Sequence, residues 1–329
     1  MSNDLRRLPG PVEPSTQLKL PMWPDAVRGG PNAVLRSALF AGIASKKRQT
    51  LGIQTRPEKK PEGITIAAQD GIKITFAGTQ LNQYDADVFF EALHRARREP
   101  LETECYFTGY DFLKAIGRSG GAESYEDLDE SLDRLRRCSV AVQFEAYGRR
   151  YVFNGGLLAS YLREDTTKQY KVTFSRDIHK LFMPASWTQL EWNERMALKG
   201  KPLAQWLHSY FSTHAKPYPV SVAFLHVISG SPTKLLKHFK TELKRAFEVL
   251  NAELGWEFEW DGDKVKMTRQ PSEAQGRHLQ RKAITAKRRA QEGAAPLQRL
   301  SRPHPKPRGD SDLQAIGELL PGLLNELKK

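Results

Sequence analysis

The apolar positions of this chain fall into two stretches, and each stretch predicts a similar order of helices and strands. The first stretch begins at Ile64, where two short β-rich runs, ITI and IKITF, are joined through Asp70-Gly71. Because Asp-Gly favours a two-residue turn, we expect a β-hairpin here. Apolar residues then recur every three or four positions in LNQYDADVFFEALHRARR, which predicts a helix that buries one face.

Two shorter helices and further strands complete the first stretch. ETECYF alternates as a strand does, TGYDFLKAIG predicts a helix from Thr108 to Gly117, and a second helix is expected from about Tyr125 to Arg137. VAVQFEAYGRRYVFNGGLL predicts a hairpin that turns at Gly148, and QYKVTFS predicts another strand. Helix, turn, helix and basic hairpin in this order are typical of a winged helix-turn-helix, although other α+β domains share the order.

The second stretch repeats this order of elements. Helices over KPLAQWLHSYFSTH and VSVAFLHVISG precede a long helix, for which Ser231 is the expected N-cap and Pro232 the expected first residue. WEFEW and KVKMT predict a hairpin around another Asp-Gly turn. The repetition predicts an α+β fold with two tandem winged-helix domains.

Composition divides the chain into four parts. Residues 1–60 are rich in Pro, Gly and basic residues, which predicts a flexible N-terminal arm with a short helix capped by Asn32 and a solvated SKKRQT loop. The first winged-helix domain is expected over residues 61–184 and the second over residues 185–270. Residues 271–329 are basic and rich in Pro, which predicts a mostly disordered tail.

The charge of the chain favours an anionic partner. Lys and Arg number 51 against 38 Asp and Glu, a net charge of +13, so nucleic acid is the first candidate and an acidic membrane surface the second. The two cysteines, Cys105 and Cys138, lack zinc-ligand spacing, and we expect no metal or other cofactor. No segment reaches the roughly 18 apolar residues of a membrane span, so we expect a cytoplasmic protein.

The long helix of the second domain has two faces when its residues are placed at about 100° intervals. The face expected to be buried contains Leu235, Leu236, Phe239, Leu243, Ala246, Phe247 and Leu250. If the helix enters the major groove by its N-terminal end, the residues offered to base edges are Thr233, Lys234, Lys237 and His238, with Thr241 on the same face. Further expected DNA contacts, mainly to phosphates, are Lys244, Arg245, Lys264 and Lys266.

The equivalent helix of the first domain has a different charge. Its exposed positions are expected to include Glu126, Asp127, Asp129, Glu130 and Asp133, which would repel phosphates. We therefore expect only backbone contacts from this domain, through the basic helix end and the hairpin tip: Arg134, Arg136, Arg137, Arg149 and Arg150. The second domain is expected to supply most of the sequence reading.

Several motifs resemble the family of TrfA-type plasmid replication initiators. The similar segments are QLKLPMWPDAVRGGPNAVLRSALF, KITFAGTQL, SYFSTHAKPYPV and the second helix pair, within about residues 17–268. The resemblance implies tandem winged helices that bind directly repeated origin sites in double-stranded DNA and open the adjacent AT-rich DNA. It also implies recruitment of host proteins, including the host initiator and the replicative helicase, and self-association to a dimer.

A short peptide in the predicted arm resembles the pentapeptide by which bacterial proteins bind the replicative sliding clamp. It comprises Gln17, Leu18, Lys19, Leu20 and Pro21. In an extended arm, Leu18 and Leu20 could insert into a pocket while Gln17 hydrogen-bonds at its rim. Pro21 stands where the pattern prefers an aromatic residue, and a Pro-rich linker with incidental leucines is the alternative.

Two other classes of function are alternatives to replication initiation. An ATP-dependent enzyme would need a GxxxxGK[ST] loop, and a nicking enzyme would need a His-x-His cluster near a tyrosine; the sequence has neither, so we expect no catalytic residues. A winged-helix transcriptional regulator remains as the alternative, because it would use the same fold and the same basic helix.

Overall fold

Two hydrophobic cores organise the described part of the chain. The computed structural model describes residues 19–52, 63–69, 71–101, 104–146, 149–183 and 186–291. The first core extends from Leu20 to Trp192, and the second extends from Leu198 to Met267. We call the two parts the first unit and the second unit.

The first unit begins with a segment that the composition predicted to be a flexible arm. Its elements are β1 (Val27–Pro31), α1 (Asn32–Leu35), β2 (Phe40–Ala41), a short 3-10 helix (Ser45–Lys47) and β3 (Thr50–Leu51). Strand β1 pairs antiparallel with a later strand, Trp187–Glu191, and the Trp23 ring stacks on Phe182 with 5.9 Å between centroids. The prediction of an arm is therefore wrong for residues 19–52, because their apolar side chains complete the first core.

The helix expected from Asn32 is shorter than predicted. It ends at Leu35, and Pro31 rather than Asn32 is its N-cap. The Asn32 side chain instead accepts a hydrogen bond from the Thr188 hydroxyl at 2.7 Å.

The rest of the first unit contains helices, a three-stranded sheet, a five-stranded sheet that includes β3, and two strands that pair with β1 and β2. Its elements are β4 (Ile64–Ile66), β5 (Lys73–Thr79), β6 (Leu81–Asn82), α2 (Gln83–Ala96), β7 (Cys105–Thr108), α3 (Gly109–Ala115), α4 (Ala122–Arg137), β8 (Ser139–Ala146), β9 (Arg149–Gly155), β10 (Ser160–Glu164), β11 (Gln169–Thr173), a 3-10 helix (Arg176–Phe182) and β12 (Trp187–Glu191). Asn82 and Asp85 cap α2 reciprocally, and the Thr108 side chain caps α3. Gly117 follows α3 with φ +69°, a conformation that suits glycine.

The second unit has fewer strands. Its elements are α5 (Trp192–Ala197), α6 (Pro202–Ser212), β13 (Val220–Ser221), α7 (Val222–Ile228), α8 (Leu236–Leu254), β14 (Glu257–Asp261) and β15 (Lys264–Thr268), followed by α9 (Glu273–Gln291). The predicted helices and the hairpin are all present. Gly255 ends α8 with φ +65°, and Gly262 lies in the β14–β15 turn with φ +58°.

The pairing of the strands identifies which hairpins correspond in the two units. In the second unit, β15 pairs with β13, the strand before the helix pair, and with β14. In the first unit, β11 pairs in the same way with β7 and β10. Hairpin β8–β9 instead extends the sheet of β5. The expectation that β8–β9 is the wing next to the helix pair is therefore wrong, because a further hairpin follows it.

Helix α9 lies in the region that was predicted to be mostly disordered. Its sequence is rich in Ala, Gln, Arg and Lys, which favour helix, and the Pro-rich stretch begins only after it. The Arg269 guanidinium lies 5.1 Å from the centre of the Trp256 ring, and Gln275 Nε2 donates to Ser212 O at 2.7 Å. These contacts fix the start of α9 against the end of α6.

The two units contact each other through buried polar groups. Arg195 is fully buried, and its guanidinium donates to Asp87 Oδ1 at 2.6 Å and to Ser209 Oγ at 2.8 Å. Because Asp87 is on α2 and Ser209 on α6, Arg195 joins a helix of each unit through one ion pair and one hydrogen bond. The Trp206 indole also donates to Ser37 O at 3.1 Å, and Arg36 donates to the Thr213 hydroxyl at 2.8 Å.

Candidate nucleic-acid interface

Helix α8 begins later than the sequence predicted. Leu235 is the N-cap residue, so Ser231 and Pro232 lie outside the helix. The preceding turn is held by Thr233, whose hydroxyl donates to Glu242 at 3.1 Å and whose carbonyl accepts from His226 Nε2 at 2.7 Å. Burial lowers the pKa of His226, which keeps the ring neutral in this contact. The Thr233 hydroxyl is thus engaged within the protein.

One face of α8 is basic and exposed. The exposed residues that the sequence placed there are Lys234, Lys237, His238, Thr241, Lys244 and Arg245, with Lys234 just before the helix. Among the residues that the structure describes, no carboxylate forms an ion pair with Lys234, Lys237, Lys244 or Arg245. The opposite face is buried through Phe239, Leu243, Ala246, Phe247 and Leu250. The structure therefore brings these cations together on a surface that faces solvent.

The two leucines at the start of α8 are not buried. Leu235 is 48% exposed and Leu236 is 41% exposed, contrary to the helical-wheel prediction. The reason is the late start of the helix, because Leu235 has extended backbone and Phe239 is the first residue to reach the core.

A basic turn from the N-terminal segment lies beside α8, and the sequence analysis missed it. Lys47 Nζ lies 3.9 Å from Glu242 Oε1, and Lys46 next to it is exposed. Arg48 fixes the turn by donating to Asn82 Oδ1 at 2.8 Å and to Asp85 Oδ2 at 3.0 Å. The run SKKRQT showed that this turn is basic, but no local pattern in the sequence predicted that the turn lies beside α8.

The hairpin lysines face acidic residues. Lys264 and Lys266 are exposed on β15, and the strand register places them opposite Asp261 and Glu259 of β14. Lys240 Nζ of α8 binds the tip of the hairpin, 2.8 Å from Asp263 Oδ1. The exposed face of this hairpin therefore carries both signs of charge, unlike the face of α8.

Arg134 of the first unit supports the fold and is not on a free surface, which corrects the expectation of a phosphate contact. Its side chain is 13% exposed and pairs with Asp85, which is fully buried, at 3.0 Å and with Glu130 at 3.1 Å. Ser131 also donates to Asp85 Oδ1 at 2.8 Å. Arg134 thus neutralises a buried carboxylate at the α2–α4 contact.

The other predicted arginines of the first unit lie on separate elements. Arg136 and Arg137 both pair with Asp133, at 3.1 and 2.8 Å. Arg150, on β9, donates to Gln143 at 2.6 Å and is exposed, whereas the Arg149 side chain lies outside the described residues. Because β8–β9 belongs to a different sheet from β10–β11, the hairpin that pairs with β7, these residues do not form the wing expected from the sequence.

The predicted clamp-binding peptide is only partly described, since Gln17 and Leu18 lie outside the described residues. Leu20 is 3% exposed within the first core, and Pro21 is half-buried. The expectation that Leu20 inserts into a partner's pocket is therefore wrong for this conformation, because the first unit already occupies the side chain.

The described part of the chain has neither a cluster of potential metal ligands nor a helix that could span a membrane. No group of three or more potential metal ligands occurs among these residues. None of the helices found there combines the length and the apolar character that crossing a membrane requires.

Together, the exposed cationic helix and the hairpin that follows it define a candidate interface for double-stranded nucleic acid. The chain belongs to the TrfA family, because the family model described as TrfA protein matches residues 15–269. This confirms the resemblance inferred from the sequence motifs. The chain is similar to the plasmid replication initiator protein TrfA of Escherichia coli, with 26% identity over 245 residues. The match covers 73% of this chain and 61% of that relative, so the chain spans about three fifths of the relative's length.

Three solved structures are also similar. Two crystal structures of domains 2 and 3 of RctB match with TM-scores of 0.45 and 0.42 and identities of 11% and 12%. These matches cover 66% and 67% of this chain and 95% and 93% of the solved chains. The WH1 domain of a replication protein isolated from a multiple sclerosis patient matches with a TM-score of 0.24 and 9% identity, over 30% of this chain and 76% of that domain.

Proposed function

We propose that this TrfA-family chain initiates plasmid replication by binding directly repeated origin sites in double-stranded DNA. The observation that carries the proposal is the exposed cationic face of α8. We infer that the two units are tandem winged-helix domains, because both have a helix pair followed by a hairpin that pairs with the preceding strand. The protein has no catalytic site or cofactor in this proposal, and it acts in the bacterial cytoplasm.

In the proposed complex, α8 enters the major groove by its N-terminal end. Lys234, Lys237 and His238 then approach base edges, while Lys244 and Arg245 lie further along the helix and reach phosphates. Lys46 and Lys47 extend the same basic surface from the N-terminal segment. We assign a smaller role to Lys264 and Lys266, because each faces an acidic residue across the hairpin.

The first unit contributes less to sequence reading. Its helix α4 carries several acidic side chains, and its arginines are engaged with them, such as Arg136 and Arg137 with Asp133. An acidic helix repels phosphates, so this unit is better suited to contacts with proteins. Because the chain belongs to the TrfA family, the proposal also includes self-association and opening of AT-rich DNA. It further includes recruitment of the host initiator, the helicase and the sliding clamp. In this proposal clamp binding does not use Leu20, because that side chain is buried in the first core.

A transformation assay tests the proposed function. A plasmid that cannot replicate by itself carries the DNA that flanks this gene, and the full-length protein is supplied from a second plasmid. We expect replication with the wild-type protein and none with the Lys234→Ala, Lys237→Ala variant. The control variant, Lys73→Ala with Lys114→Ala, removes the same charge from exposed positions of the first unit and should support replication.

Footprinting on the same flanking DNA separates the two candidate functions. Protection of direct repeats together with replication supports an initiator. Protection without replication would favour the transcriptional regulator, and failure to protect any site would overturn the assignment of sequence-specific binding.

A further inference from the structure

Two adjacent leucines interrupt the basic surface at the start of α8. Leu235 and Leu236 are 48% and 41% exposed. Lys234 precedes them, Lys237 and His238 follow them, and all three of these polar side chains are exposed. The surface that would meet DNA first is therefore a small apolar patch surrounded by cations.

The backbone holds this patch in place. The Leu235 carbonyl accepts hydrogen bonds from the amides of His238 and Phe239, at 2.9 and 3.1 Å. On the other side, the Thr233 hydroxyl is tied to Glu242 and the Thr233 carbonyl to His226. Phe239 is the first residue of this helix that belongs to the second core, and the two leucines before it lie outside that core.

The charges around the patch indicate what covers it. Among the described residues, neither Lys234 nor Lys237 has a carboxylate partner, so the surroundings favour a polyanion over an apolar protein surface. In the major groove of DNA, the C5-methyl of thymine is the apolar group that a side chain can contact. An apolar patch within a cationic helix end therefore matches thymine methyl groups bordered by phosphates.

Resting on the proposed function, we propose that Leu235 and Leu236 are specificity-determining residues that contact thymine methyl groups in each origin repeat. Lysine and histidine donate hydrogen bonds to base acceptors, whereas the leucines recognise a base by shape and apolarity. The pair thereby selects T·A over C·G at positions where a hydrogen-bond donor alone would favour guanine.

Replacement of thymine by deoxyuridine tests this contact, because it removes the methyl group and leaves every hydrogen-bonding group in place. Each thymine of a footprinted repeat is replaced singly, and binding of the full-length protein is measured by fluorescence anisotropy. At one or two positions, we expect the wild-type protein to bind about four-fold more weakly, the loss expected for one buried methyl group. The Leu235→Ala, Leu236→Ala variant should bind the thymine and deoxyuridine repeats equally.

Leu162→Ala is the matched control, because Leu162 is a 59% exposed leucine on β10 of the first unit. It should retain the full dependence on the methyl groups. If the wild-type protein binds the repeats specifically but tolerates every deoxyuridine, the leucine contact is wrong and the proposed function stands. If the leucine variant keeps the wild-type methyl dependence, the contact is made elsewhere. If the wild-type protein shows no preference for the repeats over random DNA, the proposed function itself fails.

Discussion

Arg134 has a structural role at the contact between α2 and α4. Removing its side chain leaves the buried Asp85 with one cation fewer, although Arg48 still pairs with that carboxylate. We expect Arg134→Ala to lower the free energy of unfolding by about 3 kcal/mol, at the low end of the range for a broken buried pair. Urea unfolding measures the loss.

Arg137→Ala is the matched comparison for this prediction, since Arg137 is 70% exposed in its pair with Asp133. It should cost less than about 1 kcal/mol. Equal stability of the two variants would contradict the structural role of Arg134.

Lys244 and Arg245 permit a separate test of phosphate contacts. If each neutralises one phosphate, their joint replacement by Ala should lower the slope of log K against log salt by about two. Affinity should fall for the repeat and for random DNA alike, because phosphates carry no sequence information. The Lys73→Ala, Lys114→Ala variant should keep the wild-type slope; a slope that stays unchanged in both variants would remove these residues from the interface.

His94 makes the first unit sensitive to acid. Its Nδ1 accepts a hydrogen bond from the Trp23 indole at 3.0 Å, and burial together with Arg28 and Arg97 lowers its pKa from 6.5 to about 3. Between these two pKa values, the unfolded chain binds a proton at His94 that the folded chain does not. The contribution of neutral His94 to stability is therefore fully present above about pH 6.5 and is lost progressively as the pH falls toward about 3.

Through His94 alone, the free energy of unfolding should fall by up to about 1.4 kcal/mol for each pH unit below about 6.5. His94→Asn keeps an acceptor but cannot be protonated, and urea unfolding between about pH 7 and 4 should show a flatter decline than in the wild type. His208 and His226, whose pKa values burial also lowers, should preserve part of the slope. An identical decline in both proteins would exclude His94 as a source.

At the scale of elements, helices and hairpins could be predicted from local patterns. Helices α2, α3, α4, α6 and α7 could be located from the helical spacing of apolar residues or from end signals such as Gly117. These signals lie within a few neighbouring residues of the chain. The start of α8 could not be located in this way, since Ser231, the expected N-cap, accepts a hydrogen bond from the Thr233 amide in a turn that precedes the helix. The exposure of Leu235 and Leu236 follows from that start.

Under the proposed function, α9 is expected to bind DNA independently of its sequence. Arg277, Arg281 and Lys282 are exposed, whereas Arg269 and Gln275 attach its start to α6. A protein that ends after Gly276 keeps this attachment and loses the cations. We expect its affinity for the repeat and for random DNA to decrease by the same factor, as measured by anisotropy. A changed ratio of the two affinities would instead assign base reading to the region after Gly276.

At the scale of the whole molecule, the contacts between the units could not be predicted from the sequence. The cationic face of α8 could be predicted from the sequence, because it depends on the spacing of basic residues within one helix. In contrast, Lys47 is far from Glu242 in sequence, and Ser37 is far from Trp206. Pro and Gly made residues 19–52 resemble an arm, but burial of residues such as Trp23 and Phe40 outweighed that composition.

Gly230 tests the contact between the units. It has φ +67°, and a Cβ at this position would lie 2.9 Å from the Ala41 Cβ of the first unit. Gly255 has φ +65° with nothing within 4 Å, so Gly255→Ala measures the backbone strain alone, about 1 to 2 kcal/mol. We expect Gly230→Ala to lower the free energy of unfolding by more than Gly255→Ala does. The difference between the two variants, measured by urea unfolding, gives the cost of the close contact with Ala41. An equal loss of stability in the two variants would mean that the units move apart at this point without a measurable loss of free energy.

The attachment of Arg36 and Ser37 to the second unit affects how such a protein can diversify. The Gly42 amide donates to Ser229 O at 2.8 Å, so several neighbouring residues of the N-terminal segment complete hydrogen bonds of the second unit. A gene fragment for the second unit, moved alone into a relative by recombination, would leave the Trp206 indole dependent on a foreign segment. If α8 reads origin DNA as proposed, new origin preferences are expected to arise by substitutions on its surface more readily than by exchange of the whole unit.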